Sequence, residues 1–219
     1  MLDNVLVGLY IFKEIKKEMK IAIDLNDVVR DFTYNFLMYY VKGYNHQFEP
    51  EEFNETTNDM ELALPFKTTR AYEKFVYEDF PFELFGKCPT CTKKLTEQLN
   101  EWTEQTLKEI DTDEPIEAMF VSTMEYGSSI GNTYFFLSKL GTKIREVYLP
   151  ADSSTIWNKC DVLITANPSL LNSKPEGKTT IKVNKEYNKD CPADFSYETL
   201  SMFLSDENII EKLLENVKQ

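Results

Sequence analysis

KIAIDLNDV, residues Lys20 to Val28, sets a short apolar run, Ile21 to Ile23, ahead of Asp24 and two further polar positions, Asn26 and Asp27. A run of this length and composition, bounded by polar residues, predicts a buried strand over Lys20 to Leu25. Beyond it Val28, Phe32, Phe36 and Tyr40 recur at helical spacing as far as Lys42, so the opening reads strand, loop, helix. From Gly43 to about Pro115 the chain turns acidic and aromatic, punctuated by Pro50, Pro65, Pro81 and Pro89, and ends in a predicted helix near Lys93 to Ile110. This segment reads as an inserted, mainly helical cap.

After Pro115 strands and helices alternate. Strands are predicted over Ala118 to Ser122, Ile144 to Tyr148, Val162 to Thr165 and Lys178 to Val183. Helices are predicted over Gly131 to Leu140, stopped by Gly141, over Ser153 to Lys159, and within Tyr197 to Val217. Alternation at this spacing gives an α/β fold, a three-layer Rossmann-like parallel sheet. The expected division is a core of residues 19–42 and 115–219, a cap of 43–114, and an N-terminal extension of 1–18. In such sheets the carboxyl ends of the strands carry the chemistry, which selects the loops Asp24 to Asp27, Thr123 to Ser128 and Thr165 to Pro168.

Ahead of the first strand, VLVGLYIF (Val5 to Phe12) is well short of the roughly 20 residues that span a bilayer, and Asp3 stands where an export signal carries basic residues. Neither a membrane anchor nor a signal peptide is expected. Lys16 to Met19 can be encoded by a purine-rich string resembling a ribosome-binding site before a start codon. Met19 as first residue and an N-terminal helix or strand packed on the domain are equal readings.

The 219 residues carry 37 acidic and 24 basic side chains, a net charge of −13, so the surface repels phosphate backbones and anionic lipid. Neither nucleic acid nor membrane is an expected partner. Four cysteines are too few for a disulfide framework at this length, and a reducing interior is expected. His46 is the single histidine, which leaves hydrolytic chemistry to carboxylates. Arginine occurs only at positions 30, 70 and 145, with lysine, Asn, Ile, Tyr and Phe favoured, as in an AT-rich genome of a low-GC bacterium or its phage.

Asp24-Leu25-Asn26-Asp27-Val28 after an apolar strand resembles the first motif of the haloacid-dehalogenase phosphatase superfamily: apolar strand, Asp, any residue, Asp, any residue, Val or Thr. MFVST, ending at Thr123, is similar to the second motif, whose hydroxyl binds the transferring phosphate. VLITANPSLL followed by KTTIKVNKEYN resembles the fourth-motif strand and its successor in the 5'(3')-deoxyribonucleotidases, and DFPFELFGKCPTCTKKL resembles the segment at their cap exit. The resemblance covers residues 19–219. It implies Asp24 as nucleophile, a second acid two residues on as proton carrier, and magnesium held by a backbone carbonyl and fourth-motif acids.

The chain departs from that pattern at three places. Asn26 replaces the second acid and cannot exchange a proton at neutral pH, a loss of about 10²–10⁴ in rate. Thr165 and Ala166 stand where the fourth-motif acids belong, and Asp161 lies about 13–16 Å back at roughly 3.3 Å per residue. The third-motif lysine has no match, since Lys159 is at the wrong end of its helix and Lys143 precedes its strand. Asp27 is three residues from Asp24 and alternation points it away from the Asn26 position.

Other candidates carry ordinary explanations. Cys88 and Cys91 have half-site spacing, but Pro89 opening a helix, with Thr90 and Thr92 in its first turn, accounts for the segment. The aromatic series Phe32, Tyr34, Phe36, Tyr39 and Tyr40, with Tyr72, Phe75, Tyr77, Phe80, Phe82 and Phe85, reads as cap-on-core packing before a base-stacking pocket. Ser128 or Ser129 is expected to cap the helix after Thr123, with Tyr126 to Ser129 as an anion nest the alternative. The acidic cluster Glu49, Glu51, Glu52, Glu55, Asp59 and Glu61 reads as a solvated face.

The functional expectation is a catalytically degenerate scaffold serving as a binding or structural subunit, for instance in phage virion assembly, partnered by other proteins or by itself. It would lie in the host cytoplasm or in the virion, and no cofactor is expected. The alternatives are a magnesium-dependent 5'-nucleotidase acting on deoxynucleoside monophosphates and a non-hydrolysing nucleotide sensor. The vestigial catalytic set is Asp24, Asn26, Asp27 and Thr123; the ligand-binding set is Thr123, Tyr126, Ser128, Thr165 and Asn167; Asp24 is the sole metal candidate.

Overall fold

The computed structural model describes residues 19–106 and 116–217, so the readings of residues 1–18 and of the segment approaching Pro115 lie outside the described residues. Six strands form one sheet: β1 (Met19–Asp24), β2 (Ile116–Val121), β3 (Glu146–Tyr148), β4 (Val162–Thr165), β5 (Thr179–Val183) and β6 (Phe195–Tyr197). Their spatial order is β3-β2-β1-β4-β5-β6, and every pairing is parallel. The α/β reading holds, with strand limits displaced by one or two residues. Sequence analysis missed β6, which falls just before the predicted closing helices.

The sheet is covered on both faces, and period-two alternation decides which residue meets which layer. Ile21, Ile23, Phe120, Val162 and Ile164 join one core with α4 (Leu95–Glu101), α5 (Ser128–Leu140), α7 (Leu200–Leu204) and α8 (Ile209–Val217). Ala22, Met119, Val121 and Leu163 join a second core with Ile156 and Trp157 of a 3₁₀ turn and Leu170 of α6 (Pro168–Asn172). Fully burying an aliphatic or aromatic side chain contributes about 1.5–3 kcal/mol, so these two layers dominate the favourable side of folding. The same alternation puts Asp24 and Thr165 on one face of adjacent strands, level with each other at their carboxyl ends.

Helix α1 (Phe32–Gly43) ends where Gly43 faces Phe80; a Cβ there would lie 2.4 Å from Phe80 Cζ. Between α1 and β2 the described residues form α2 (Met60–Ala63), α3 (Thr69–Lys74), two wide π turns over Phe75–Asp79 and Phe82–Gly86, and α4, which continues as a π turn over Trp102–Thr106. The last part of the helix predicted to Ile110 lies outside the described residues. Phe36, Tyr40, Phe75 and Phe85 centre an aromatic cluster between α1 and these turns, with Tyr40 and Phe66 ring centroids 4.9 Å apart. Most of the aromatic series is therefore packing, as its spacing suggested.

Two local readings are corrected and a third, the solvated acidic cluster, gains a structural role for one member. Pro89 opens no helix: its carbonyl accepts from Asp31 N at 2.9 Å, Cys91 N bonds Val29 O at 2.9 Å, and α4 begins only at Leu95. The N-cap of α5 is Gly127, not a serine; Ser129 Oγ bonds Tyr126 N at 2.7 Å, and Ser128 Oγ donates to Tyr77 O at 3.0 Å. Asp59 is more than solvated charge, since it caps α2 through Glu61 N at 3.0 Å. Gly141 stops α5 as expected, in the left-handed region at φ 64°.

Asn188 holds the turns after β4 and β5 together. It is fully buried; Nδ2 donates to Ala166 O at 2.8 Å and Val183 O at 2.9 Å, and Oδ1 accepts from Lys185 N at 2.9 Å. Asn188→Ala strands three backbone groups and is expected to cost about 2–4 kcal/mol in urea unfolding. A loss below about 1 kcal/mol would show that these turns hold without it.

Candidate functional site

The order of the sheet reverses at β1: the chain leaves it toward β2 and β3 and returns to β4 on its other side. Loops diverge at such a point and leave a crevice beyond the carboxyl ends of the strands. Asp24 closes β1 at that crevice, and Thr165 Oγ1, closing β4, donates to Asp24 Oδ2 at 2.6 Å. A cleft of about 350 Å³ opens there, reached by Asp24, Asn26 and Asp27 after β1, Thr123 and Met124 after β2, Asn167 before α6, and Tyr187 after β5. Phe32, Asp59, Tyr72 and Tyr77 bound it from the helical side.

Of the sequence-derived residues, Asp24, Asn26, Asp27, Thr123 and Asn167 thus line one cleft, while Thr165 lies fully buried behind Asp24. Tyr126 and Ser128 are not among its lining residues: Tyr126 is 73% exposed and Ser128 is spent on Tyr77 O. Asp27 does reach the cleft, through a left-handed backbone at φ 58° that defeats simple alternation. Its carboxylate is already committed: Oδ1 accepts from Thr33 N at 2.8 Å, and Oδ2 from Thr33 Oγ1 at 2.5 Å and Tyr187 Oη at 2.8 Å. It fastens the start of α1 to the turn after β5.

Sequence reading missed Tyr187 in the cleft wall and Arg30 beneath it. Arg30 has the larger structural role. It is fully buried, and its guanidinium donates to Asn26 Oδ1 at 2.7 Å, Thr133 Oγ1 at 3.0 Å, Phe85 O at 3.4 Å and Glu125 Oε1 at 2.6 Å. Rings of Phe32, Phe85 and Phe136 surround it, their centroids 5.1 to 5.8 Å away. Glu125 is as buried as its partner, and its Oε2 has no hydrogen-bond partner. A buried charge must be paired. An arginine in a chain that has three, followed by an acid two residues past Thr123, was the available signal.

Burial pushes the Asp24 carboxyl up from 3.8 to about 7, opposed by the bonds from Thr165 and the Asn26 backbone; Glu125 reinforces the rise and Arg30 weakly opposes it. Near neutral pH Asp24 is therefore divided between acid and anion. Burial likewise raises the Tyr187 phenol, helped by Asp27, and pushes the Cys91 thiol up to about 12, so the Cys88–Cys91 pair has no reactive thiolate.

Magnesium takes oxygen ligands, usually including one or two carboxylates. Of the two aspartates that follow β1, Asp27 has both oxygens bonded and Asp24 has its Oδ2 serving Thr165. Among the described residues no three acids, thiols or imidazoles stand close enough together to share one ion. Asp161 bonds Lys178 Nζ at 3.0 Å at the opposite end of β4. The residues do not fit the ion. No family model and no curated protein matches this sequence.

Two measurements test this account. Arg30→Met leaves Glu125 buried and unpaired and is expected to cost about 3–5 kcal/mol, part of which a second change, Glu125→Gln, restores; a single-variant loss under 1 kcal/mol would contradict it. The folded chain holds the Asp24 proton more tightly than the unfolded chain, so this group's contribution to stability falls as pH rises from 3.8 to about 7. Asp24→Asn is expected to equal the parent near pH 4 and to exceed it at pH 8, with a ceiling of about 4 kcal/mol. Parallel stability profiles for the two proteins would refute the shift.

Proposed function

We propose that the chain is a haloacid-dehalogenase-like protein that has lost phosphate transfer and works by binding, as a subunit or ligand carrier. The observation that carries this is the charge arrangement around Asp24. A phosphoryl-transfer site stabilises negative charge with cations; here Arg30 lies beneath the cleft with its charge spent on Glu125, and among the described residues no lysine, arginine or histidine lines it. Asn26 is locked between Arg30 and Ser122, with Nδ2 donating to Ser122 Oγ at 3.2 Å, so the proton carrier's position has become a structural tie.

The surface supports a protein partner. Tyr126, Ile130 and Tyr134, spaced by four along the start and outer face of α5, are 73%, 39% and 51% exposed, with Phe135 beside them. An apolar stripe of that kind is common at interfaces. Among the described residues no helix is long and apolar enough to cross a membrane.

The test is phosphate release from the deoxynucleoside monophosphates with magnesium supplied. No release above the background of Asp24→Asn is expected. Turnover that disappears in that variant would overturn the reading in favour of the nucleotidase.

A further inference from the structure

The cleft at the strand ends combines two features that select a ligand class. Among the described residues its charged lining is acidic throughout: Asp24, Asp27 and Asp59. Its remaining walls include four aromatic rings, Phe32, Tyr72, Tyr77 and Tyr187. At about 350 Å³ it is of the size that holds a small organic molecule. An anion entering would meet carboxylates with no compensating cation. An ammonium group would meet carboxylates and aromatic rings of the kind that attract cations within about 6 Å of their centroids, as Phe32 already does for Arg30.

We propose that this cleft binds a small organic cation, an amine carried on an aromatic or apolar body. The inference rests on the reading that the site does not turn over phosphate, and it adds what the site takes instead. The acids and the rings have separate origins in the fold. Asp24 comes from the end of β1 and is nine-tenths buried, with its residual exposed edge in the cleft; Asp59 comes from the cap of α2, exposed to arriving ligand. Tyr72 lies on α3, stacked on Phe36 at 6.2 Å, and Tyr77 is fixed by its hydroxyl to Met124 O at 3.1 Å. The rings are thus anchored before any ligand arrives. Asp27 contributes charge, since its oxygens are occupied by Thr33 and Tyr187.

Three probes of one body separate the alternatives: tyramine, 4-ethylphenol and phenyl phosphate, followed by calorimetric titration and by thermal shift of the full chain. Tyramine is expected to bind and raise Tm, 4-ethylphenol to bind at least about threefold more weakly, and phenyl phosphate to leave Tm unchanged. Asp59→Asn keeps the helix cap and is expected to weaken tyramine about threefold to fivefold; Tyr72→Leu is expected to weaken it further. Phenyl phosphate binding as tightly as tyramine, or no tyramine binding, overturns the proposal. So does tyramine binding at full strength to both variants, which would place it elsewhere on an acidic surface. These outcomes are distinct from phosphate release, which would sink the reading beneath the proposal while leaving cation binding to be seen in the titration.

Discussion

A full positive charge with no access to water sits at the centre of this molecule, and the surrounding structure is arranged to compensate it. Arg30 is paired to Glu125, ringed by three phenyl groups and bonded to the loop after β1, to α5 and to the π turn at Phe85. Desolvating two ions costs several kcal/mol each, and a pair is tolerated only when its geometry satisfies the remaining donors and acceptors. Nearly all the donors here find partners, and those partners come from three parts of the chain. The pair therefore fixes the relation of the strand-end loop to the helices beside it, whatever it adds to net stability.

The same pair governs the electrostatics of the cleft. A cation left unpaired beneath the strand ends would attract phosphate and lower the Asp24 carboxyl. Joined to Glu125 it exerts little net field, and Glu125 itself stands among the groups that raise Asp24. Burial then outweighs the bonds that the Thr165 hydroxyl and the Asn26 backbone give the Asp24 carboxyl. Asp24 thus stands at the point of the sheet where the loops diverge, with a buried ion pair beneath it whose two charges largely cancel.

What the sequence made legible is what hydrophobic periodicity encodes. KIAID, MFVS and VLIT each announce a buried strand because both faces of a parallel sheet are covered, and the helices between them follow from spacing. The short edge strand β6 was not legible, because three residues, Phe195 to Tyr197, carry too little pattern to stand out from the loop before α7. Asp24, Asn26, Asp27, Thr123 and Asn167 were found since strand ends and the loops after them can be located by counting. Arg30, Glu125, Tyr187 and Asn188 were not, because their roles depend on pairings across 22 to 160 residues of chain that local pattern does not register.

The position of Asp27 shows why local rules failed where they did. Alternation assumes an extended backbone, and it sends the side chain at position 27 away from the site. One residue in the left-handed region reverses that direction. The strain of an aspartate there is modest compared with that of a branched residue, and three hydrogen bonds to its carboxylate hold it in place. Those bonds occupy both oxygens of the carboxylate, which two hydroxyls and an amide reach as donors, so Asp27 is a fixed acceptor in the wall of the cleft. The turn that brings a second acid into the cleft is held by the same three bonds that tie α1 to the turn after β5.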